Sequence, residues 1–339
     1  MRTNDFDYDL PTERIAQTPI EPRHASRLMV IRRDSPAIDH STFWELDRYL
    51  RAGDLLVLNQ TRVLPARIHA HKPTGGKAEM LLLKRIDPLR WTALVGGKRL
   101  KQGMILSIPG GATALIEAEL EGAERVIQFS EPVENYLDSI GEMPLPPYIH
   151  TRLKDRERYQ TVYASQNGSA AAPTAGLHFT PQLFEKLAAA GINCARVTLH
   201  VGLDTFAPVT VDDPTQHAIH TEWCQVSQEA ADDINQTRAK GGRIIAVGTT
   251  TVRTLETAAT HAQPGDAVSA WQGATSLYIL PGFEFKVADA IITNFHLPHS
   301  TLLMMISAFA GRERVLAAYR LAIQEAYRFY SFGDAMLIL

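Results

Sequence analysis

Thr180-Pro181-Gln182-Leu183-Phe184-Glu185-Lys186-Leu187-Ala188-Ala189-Ala190-Gly191-Ile192-Asn193-Cys194-Ala195-Arg196-Val197-Thr198-Leu199-His200-Val201 reads as a helix that turns into a strand. Thr180 suits an N-cap and Pro181 the first helical position, where a missing N–H costs nothing. Leu183, Phe184, Leu187 and Ala188 share one face, and Gly191 permits the turn that ends the helix. Over Ile192–Val201 the period drops to two. Val197, Leu199 and Val201 point one way, and Arg196, Thr198 and His200 the other.

The plan recurs downstream. Ser227 caps a helix running to Gly241-Gly242, and a strand follows over Arg243–Gly248. A further strand, Ala290–Phe295, passes through His296-Leu297-Pro298 into an apolar helix from about Ser300 to Ala310, stopped by Gly311. The spacing of Val315, Leu316, Tyr319, Ile323, Ala326 and Tyr327 predicts a last helix over Glu313–Phe329. Alternating helices and strands of this kind build an α/β sheet.

Upstream the texture differs. Short β-type runs near Val63–Ala70, Ala78–Lys84, Trp91–Val95, Met104–Ile108, Ala112–Leu120 and Arg125–Phe129 alternate with glycine turns. About six strands at this spacing predict a small barrel or sandwich. The run Met143-Pro144-Leu145-Pro146-Pro147-Tyr148 then reads as a stiff linker. The expected architecture is an α/β main domain over 1–60 and 150–339. A small all-β barrel over 61–149 is inserted after the first strand.

Composition narrows the class. The chain has 339 residues, 45% of them hydrophobic, enough to bury sizeable cores in about two domains. Two cysteines, Cys194 and Cys224, cannot build a disulfide framework. The polar start at Met1–Asp7 is no signal peptide, and the longest apolar run, Leu302–Ile306, is too short to span a bilayer. A cytoplasmic protein with no membrane partner is expected. Net charge is −3, yet Arg62–Lys101 carries ten basic residues against Glu79 and Asp87, a local +8 that leaves −11 elsewhere. Such a basic module suits a polyanion, with Lys98, Arg99 and Lys101 as candidate contacts. A solvated Lys/Arg-rich surface is the equal alternative.

Candidate chemistry gathers after the predicted strands, where open α/β sheets place ligands. Gly202-Leu203-Asp204-Thr205 follows one strand. Gly248-Thr249-Thr250-Thr251 follows another and starts a helix bearing Arg253 and Glu256. Asn294 and His296 end a third. The Gly248–Thr251 turn offers N–H groups and hydroxyls to a phosphate or carboxylate; a plain threonine N-cap is the competing reading. It lacks the P-loop lysine. His178, His200, His217, His220, Glu222, His296 and His299 are ligand types, and the His217–Cys224 run is dense in them. No His-Glu-x-x-His or paired Cys-x-x-Cys occurs. Acid–base or bracing histidines are expected in preference to zinc. Tyr148, Tyr159 and Tyr163 suit either stacking on an extruded base or core packing.

Six strings carry a resemblance: Asn59–Arg67, Met143–Ile149, Ala171–Phe179, Val197–Gly202, Ala246–Arg253 and Thr293–Pro298, together with the closing Tyr327–Met336. In this order they make the chain resemble the S-adenosylmethionine:tRNA ribosyltransferase-isomerase family of queuosine biosynthesis nearly end to end. Gln60 and Glu142 depart from the family's usual residues. The resemblance implies a metal-free monomer without cofactor. Its partners would be tRNA carrying 7-aminomethyl-7-deazaguanine at the wobble position and S-adenosylmethionine as ribosyl donor, with adenine and methionine leaving and epoxyqueuosine formed. It suggests His178, His200, His296, Glu222 and Asp204 as catalytic candidates, and Arg62, Thr249, Thr250, Arg253 and Asn294 as substrate contacts. The three histidines are expected to line one cleft with Arg62, Thr249 and Arg253. A non-catalytic tRNA-binding protein and a zinc-dependent hydrolase are the alternative functions.

Overall fold

A nine-stranded mixed sheet forms the spine of the larger of two compact units in this computed structural model, which describes residues 1–202 and 208–339. Its order is Trp271–Thr275, Glu222–Val226, Asn193–Leu199, Leu55–Asn59, Ile244–Val247, Ala290–Asn294, Ala335–Ile338, Arg27–Arg32, Ser35–Thr42. The four strands from Asn193–Leu199 to Ala290–Asn294 are parallel, and antiparallel strands flank them. Register pairs Val197 with Asn59 and Val247 with both Leu58 and Ile292, so the carboxyl ends of these four strands are level.

Side-chain alternation sends each strand into two cores. Leu55, Val57, Ala246 and Ile291 pack with the helices Gln228–Ala239, Thr249–Ala259, Thr301–Ala310 and Arg312–Gln324. Leu56, Leu58, Ile245 and Ile292 pack with Leu183 and Leu187 of helix Pro181–Ala189. The caps fall as expected: Thr180, Ser227 and Ser300 each accept a backbone N–H three residues on.

Three expectations need correction. The insertion follows the third strand of the main sheet in chain order, because Arg27–Arg32 and Ser35–Thr42 precede Leu55–Asn59. The last helix stops at Gln324; Ala326 takes φ +57, and Tyr327 and Phe329 are buried beyond the helix end. At Gly248 it is the glycine, at φ +90, that stands at the N-cap, with no side-chain cap. The first-turn threonines turn their hydroxyls elsewhere.

The second unit, Val63–Pro146 with Asn167–Ala171, holds a closed six-stranded antiparallel barrel made of Arg67–His71, Lys77–Arg85, Arg90–Gly96, Glu124–Phe129, Thr113–Glu119 and Ile105–Ser107. The barrel is not basic as a whole. Ten basic residues meet ten acids over this unit. Eight of those acids follow Lys101 in the chain, and some fold back as partners of the basic run, in Arg85–Glu134 and Arg90–Glu117. Among the described residues no helix is long and apolar enough to cross a membrane.

Candidate active site

The level strand ends of the larger unit are tied together by Asn59, which is fully buried. Its Oδ1 accepts the Thr61 and Leu199 N–H groups, and its Nδ2 donates to Leu199 O at 3.0 Å and Thr250 Oγ1 at 3.3 Å. One amide thus fixes two strand ends to the start of helix Thr249–Ala259. Every residue of that helix is buried. The Thr249 and Thr250 N–H groups precede any intrahelical acceptor and carry the positive end of the helix dipole. Thr251, Thr254 and Thr257 send their hydroxyls back to carbonyls four residues earlier.

Thr249, Thr250 and Leu302 separate two compartments. The first is lined by Tyr148, Thr293, Asn294, His296 and Tyr330 among others. His296 Nε2 lies 2.7 Å from Thr293 Oγ1, its backbone N–H donates to Tyr319 Oη, and its carbonyl accepts the Tyr8 hydroxyl. Burial lowers its pKa to about 3, so the imidazole is neutral and its protonation is disfavoured. Tyr148 donates to or accepts from Ser331 Oγ at 2.7 Å, and its ring packs at 4.7 Å from Tyr330.

The second compartment is lined by His220, Glu222 and Arg253 with Leu277, Tyr278 and Met305. Arg253 Nη1 donates to Glu222 Oε2 at 2.6 Å, and Nη2 donates to His220 O and Thr275 O. Glu222 Oε1 accepts the Gly202 N–H at 2.8 Å and lies 3.3 Å from His220 Nε2. Burial alone would raise the Glu222 pKa; His220 and the Arg253 charge outweigh it and hold the carboxyl below its ordinary value. Arg253 Nε is buried without a partner among the described residues. A buried guanidinium with a spare N–H suits a carboxylate.

The structure brings Thr249, Thr250, Asn294 and His296 to one compartment, and Thr249, Thr250, Glu222 and Arg253 to the other. Of the three histidines expected to line one cleft with Arg62, Thr249 and Arg253, only His296 lines either of these compartments. His178 lies behind the first compartment, 4% exposed, with Nδ1 2.8 Å from Ser26 Oγ and Nε2 3.2 Å from Asn294 Nδ2. Burial lowers its pKa to about 3. Both ring nitrogens are occupied, which leaves none to meet a ligand. His200 lines neither compartment; its Nδ1 pairs with Thr61 Oγ1 and its ring stacks on Trp223 at 5.3 Å. Burial lowers its pKa. Arg62 is held by Glu157 at 2.6 Å. Asp204 lies outside the described residues.

Tyr159 and Tyr163 are core residues, unable to stack on a base, because their rings pack against Phe332 and Phe179. Among the described residues no group of three or more His, Cys, Asp or Glu gathers as a metal site. In the barrel, Lys98, Arg99 and Lys101 are exposed around Leu100, which is buried and anchors the turn.

Asn59, Ser26, Thr293, Tyr330 and His220's carbonyl escaped the sequence reading. Asn59 sits in the same string as Arg62, and a buried amide at a strand end is its one local signal. Nothing local marks Ser26.

A queuosine biosynthesis protein family model matches residues 3–338. Two relatives named S-adenosylmethionine:tRNA ribosyltransferase-isomerase, from Symbiobacterium thermophilum and Desulforamulus reducens, are 56% and 52% identical, each over 100% of both chains. The crystal structure of S-adenosylmethionine tRNA ribosyltransferase from Thermotoga maritima superposes with a TM-score of 0.58 at 41% identity, covering 99% of this chain and 100% of that one.

Proposed function

The chain belongs to the queuosine biosynthesis protein family, and from that premise we propose that the paired compartments on either side of Thr249 and Thr250 are where it uses S-adenosylmethionine. The activity is that of the family. The ribosyl group of S-adenosylmethionine is transferred to 7-aminomethyl-7-deazaguanine at the wobble position of tRNA and isomerised, giving epoxyqueuosine, adenine and methionine. Both S-adenosylmethionine and tRNA are substrates.

The observation that carries the site is the division of labour between compartments. Arg253, with a spare buried N–H, and the Thr249–Thr250 helix start face one side and suit the methionine carboxylate. Glu222 holds Arg253 in place. On the other side His296 is neutral. The sulfonium makes the adjacent 5′ C–H acidic, and the neutral His296 ring is placed to take that proton; its lowered pKa makes it a weak base, so the step leans on the acidity that the sulfonium supplies. Anchoring both ends of S-adenosylmethionine holds the reacting carbon near that base, the kind of positioning that supplies several kcal/mol. His200 and Asp204 stay candidates for the proton that adenine needs on leaving, and Arg62 for a tRNA phosphate.

The exposed Lys98-Arg99-Leu100-Lys101 turn is the proposed tRNA contact of the barrel. The paired arginines at 67, 85 and 90 are already neutralised by acids. We place the protein in the cytoplasm as a monomer that needs no cofactor.

Arg253→Lys tests the site. It keeps the charge and removes the planar fork. S-adenosylmethionine affinity is expected to fall by about tenfold or more with folding intact. Unchanged affinity would remove this cleft from consideration.

A further inference from the structure

We propose that Asn294 sets specificity in the His296 compartment: its side-chain oxygen accepts an N–H from an amino-substituted aromatic base, and His178 is the positioning residue that keeps that oxygen available. This rests on placing S-adenosylmethionine in the cleft.

Hydrogen bonding fixes which way the amide lies. Asn294 Nδ2 stands 3.2 Å from Tyr330 O and 3.5 Å from Asp334 O, both acceptors only. Reversing the amide would set oxygen against two carbonyls. The second Nδ2 hydrogen meets His178 Nε2 at 3.2 Å, so that nitrogen is the acceptor and the ring proton sits on Nδ1, donating to Ser26 Oγ at 2.8 Å. The tautomer of His178 and the orientation of Asn294 therefore determine each other. All three side chains are buried, at 0% for Ser26, 4% for His178 and 3% for Asn294.

What this leaves over is Asn294 Oδ1. It is buried and has no partner among the described residues, on a residue that lines the compartment. A buried acceptor left unpaired is unfavourable, and a ligand N–H relieves that. Tyr148, Phe295, Leu297, Leu302 and Tyr330 make the surroundings aromatic and apolar, which suits a flat heteroaromatic ring. An amino group on such a ring donates to Oδ1. A carbonyl at the same place would oppose one acceptor to another. The donor has two possible sources, the adenine amino group of S-adenosylmethionine and the amine-bearing base of the tRNA.

The test is calorimetric binding of S-adenosylmethionine and of its 6-oxo analogue, without tRNA, to wild type, Asn294→Leu, His178→Gln and His178→Leu. A parallel arm compares tRNA carrying the aminomethyl base with tRNA carrying guanine, which keeps the ring amino group and lacks the aminomethyl N–H, so that this arm reads the aminomethyl donor alone. Wild type is expected to prefer the amino compound by about 10- to 100-fold, and Asn294→Leu to erase the preference. His178→Gln, whose amide oxygen replaces Nε2 as acceptor, is expected to retain both the preference and the pH profile of turnover. His178→Leu is expected to weaken the preference. If only the tRNA preference depends on Asn294, the donor is the tRNA base. Wild type showing no discrimination in either arm overturns the inference without reliance on any variant. So does discrimination that survives Asn294→Leu, or a His178→Gln variant that binds normally and does not turn over. If Arg253→Lys weakens S-adenosylmethionine binding in any of these cases, the site stands and only the role of Asn294 falls.

Discussion

Arg253 Nη1 lies 2.6 Å from Glu222 Oε2, with the side chains 7% and 3% exposed. A pair this buried loses most of its hydration, and its attraction does little more than offset that loss. Breaking it is another matter, because one charge then stays buried alone. Glu222→Ala is expected to destabilise the protein by about 3–5 kcal/mol in denaturant titration. A loss below about 1 kcal/mol would show that Arg253 finds another partner.

His296 is the residue on which proton transfer is expected to depend. Thr293 engages Nε2 and burial keeps the ring neutral. His296→Asn is expected to leave S-adenosylmethionine binding nearly intact and to cut adenine release by about 10²–10⁴-fold. Near-normal release would move the base to His200, Asp204 or the substrate amine.

Acid should weaken the fold through the same histidines. His178 and His296 have pKa values lowered from 6.5 to about 3. Between those values the unfolded chain binds protons that the native state refuses, so stability falls as pH drops from about 6.5 toward about 3 and changes no further below that range. The slope is at most about 1.4 kcal/mol per pH unit for each histidine. Glu222 adds in the same direction, since its depressed pKa contributes stability that is lost as pH falls through it. His178→Gln should flatten the acid limb of a stability–pH curve; an unchanged limb would mean that the ring opens to water before it titrates.

Reversing Lys98, Arg99 and Lys101 to Glu is expected to weaken tRNA binding and to lower the log–log salt slope by roughly one unit for each phosphate no longer engaged. The barrel as a whole is neutral, so any effect belongs to this turn. Unchanged tRNA affinity in a folded variant would sink the proposed role of the turn.

Chelation is expected to leave adenine release unchanged. The ligand-rich run His217–Cys224 is committed otherwise: Glu222 serves Arg253 and the Gly202 N–H, and the His220 carbonyl accepts from Arg253. Zinc near one equivalent per chain, removed together with activity, would revive the hydrolase alternative.

Sequence alone determined what depends on near neighbours. Caps act over three residues, so Thr180, Ser227 and Ser300 were legible, as were the strands whose alternation divides them between two cores. The barrel was legible from its glycine-punctuated runs, and so were the loops that follow the parallel strands. Local reading failed where distant acids cancelled a basic run and where Tyr159 and Tyr163 met aromatic partners. It also stopped short at the N-terminal hairpin.

The tertiary structure decided which groups face one another. Glu222 and Arg253 are 31 residues apart, Asn294 and His178 are 116 apart, and Asn59 reaches Leu199 across 140. No periodicity encodes such pairs, because they arise when parallel strands bring their carboxyl ends level. The same level edge separates His296, which has a compartment to face, from His178, whose two nitrogens are spent holding Asn294. The physical reason is that a side chain's proton chemistry is set by what surrounds it in space, and chain order specifies that only through the packed sheet.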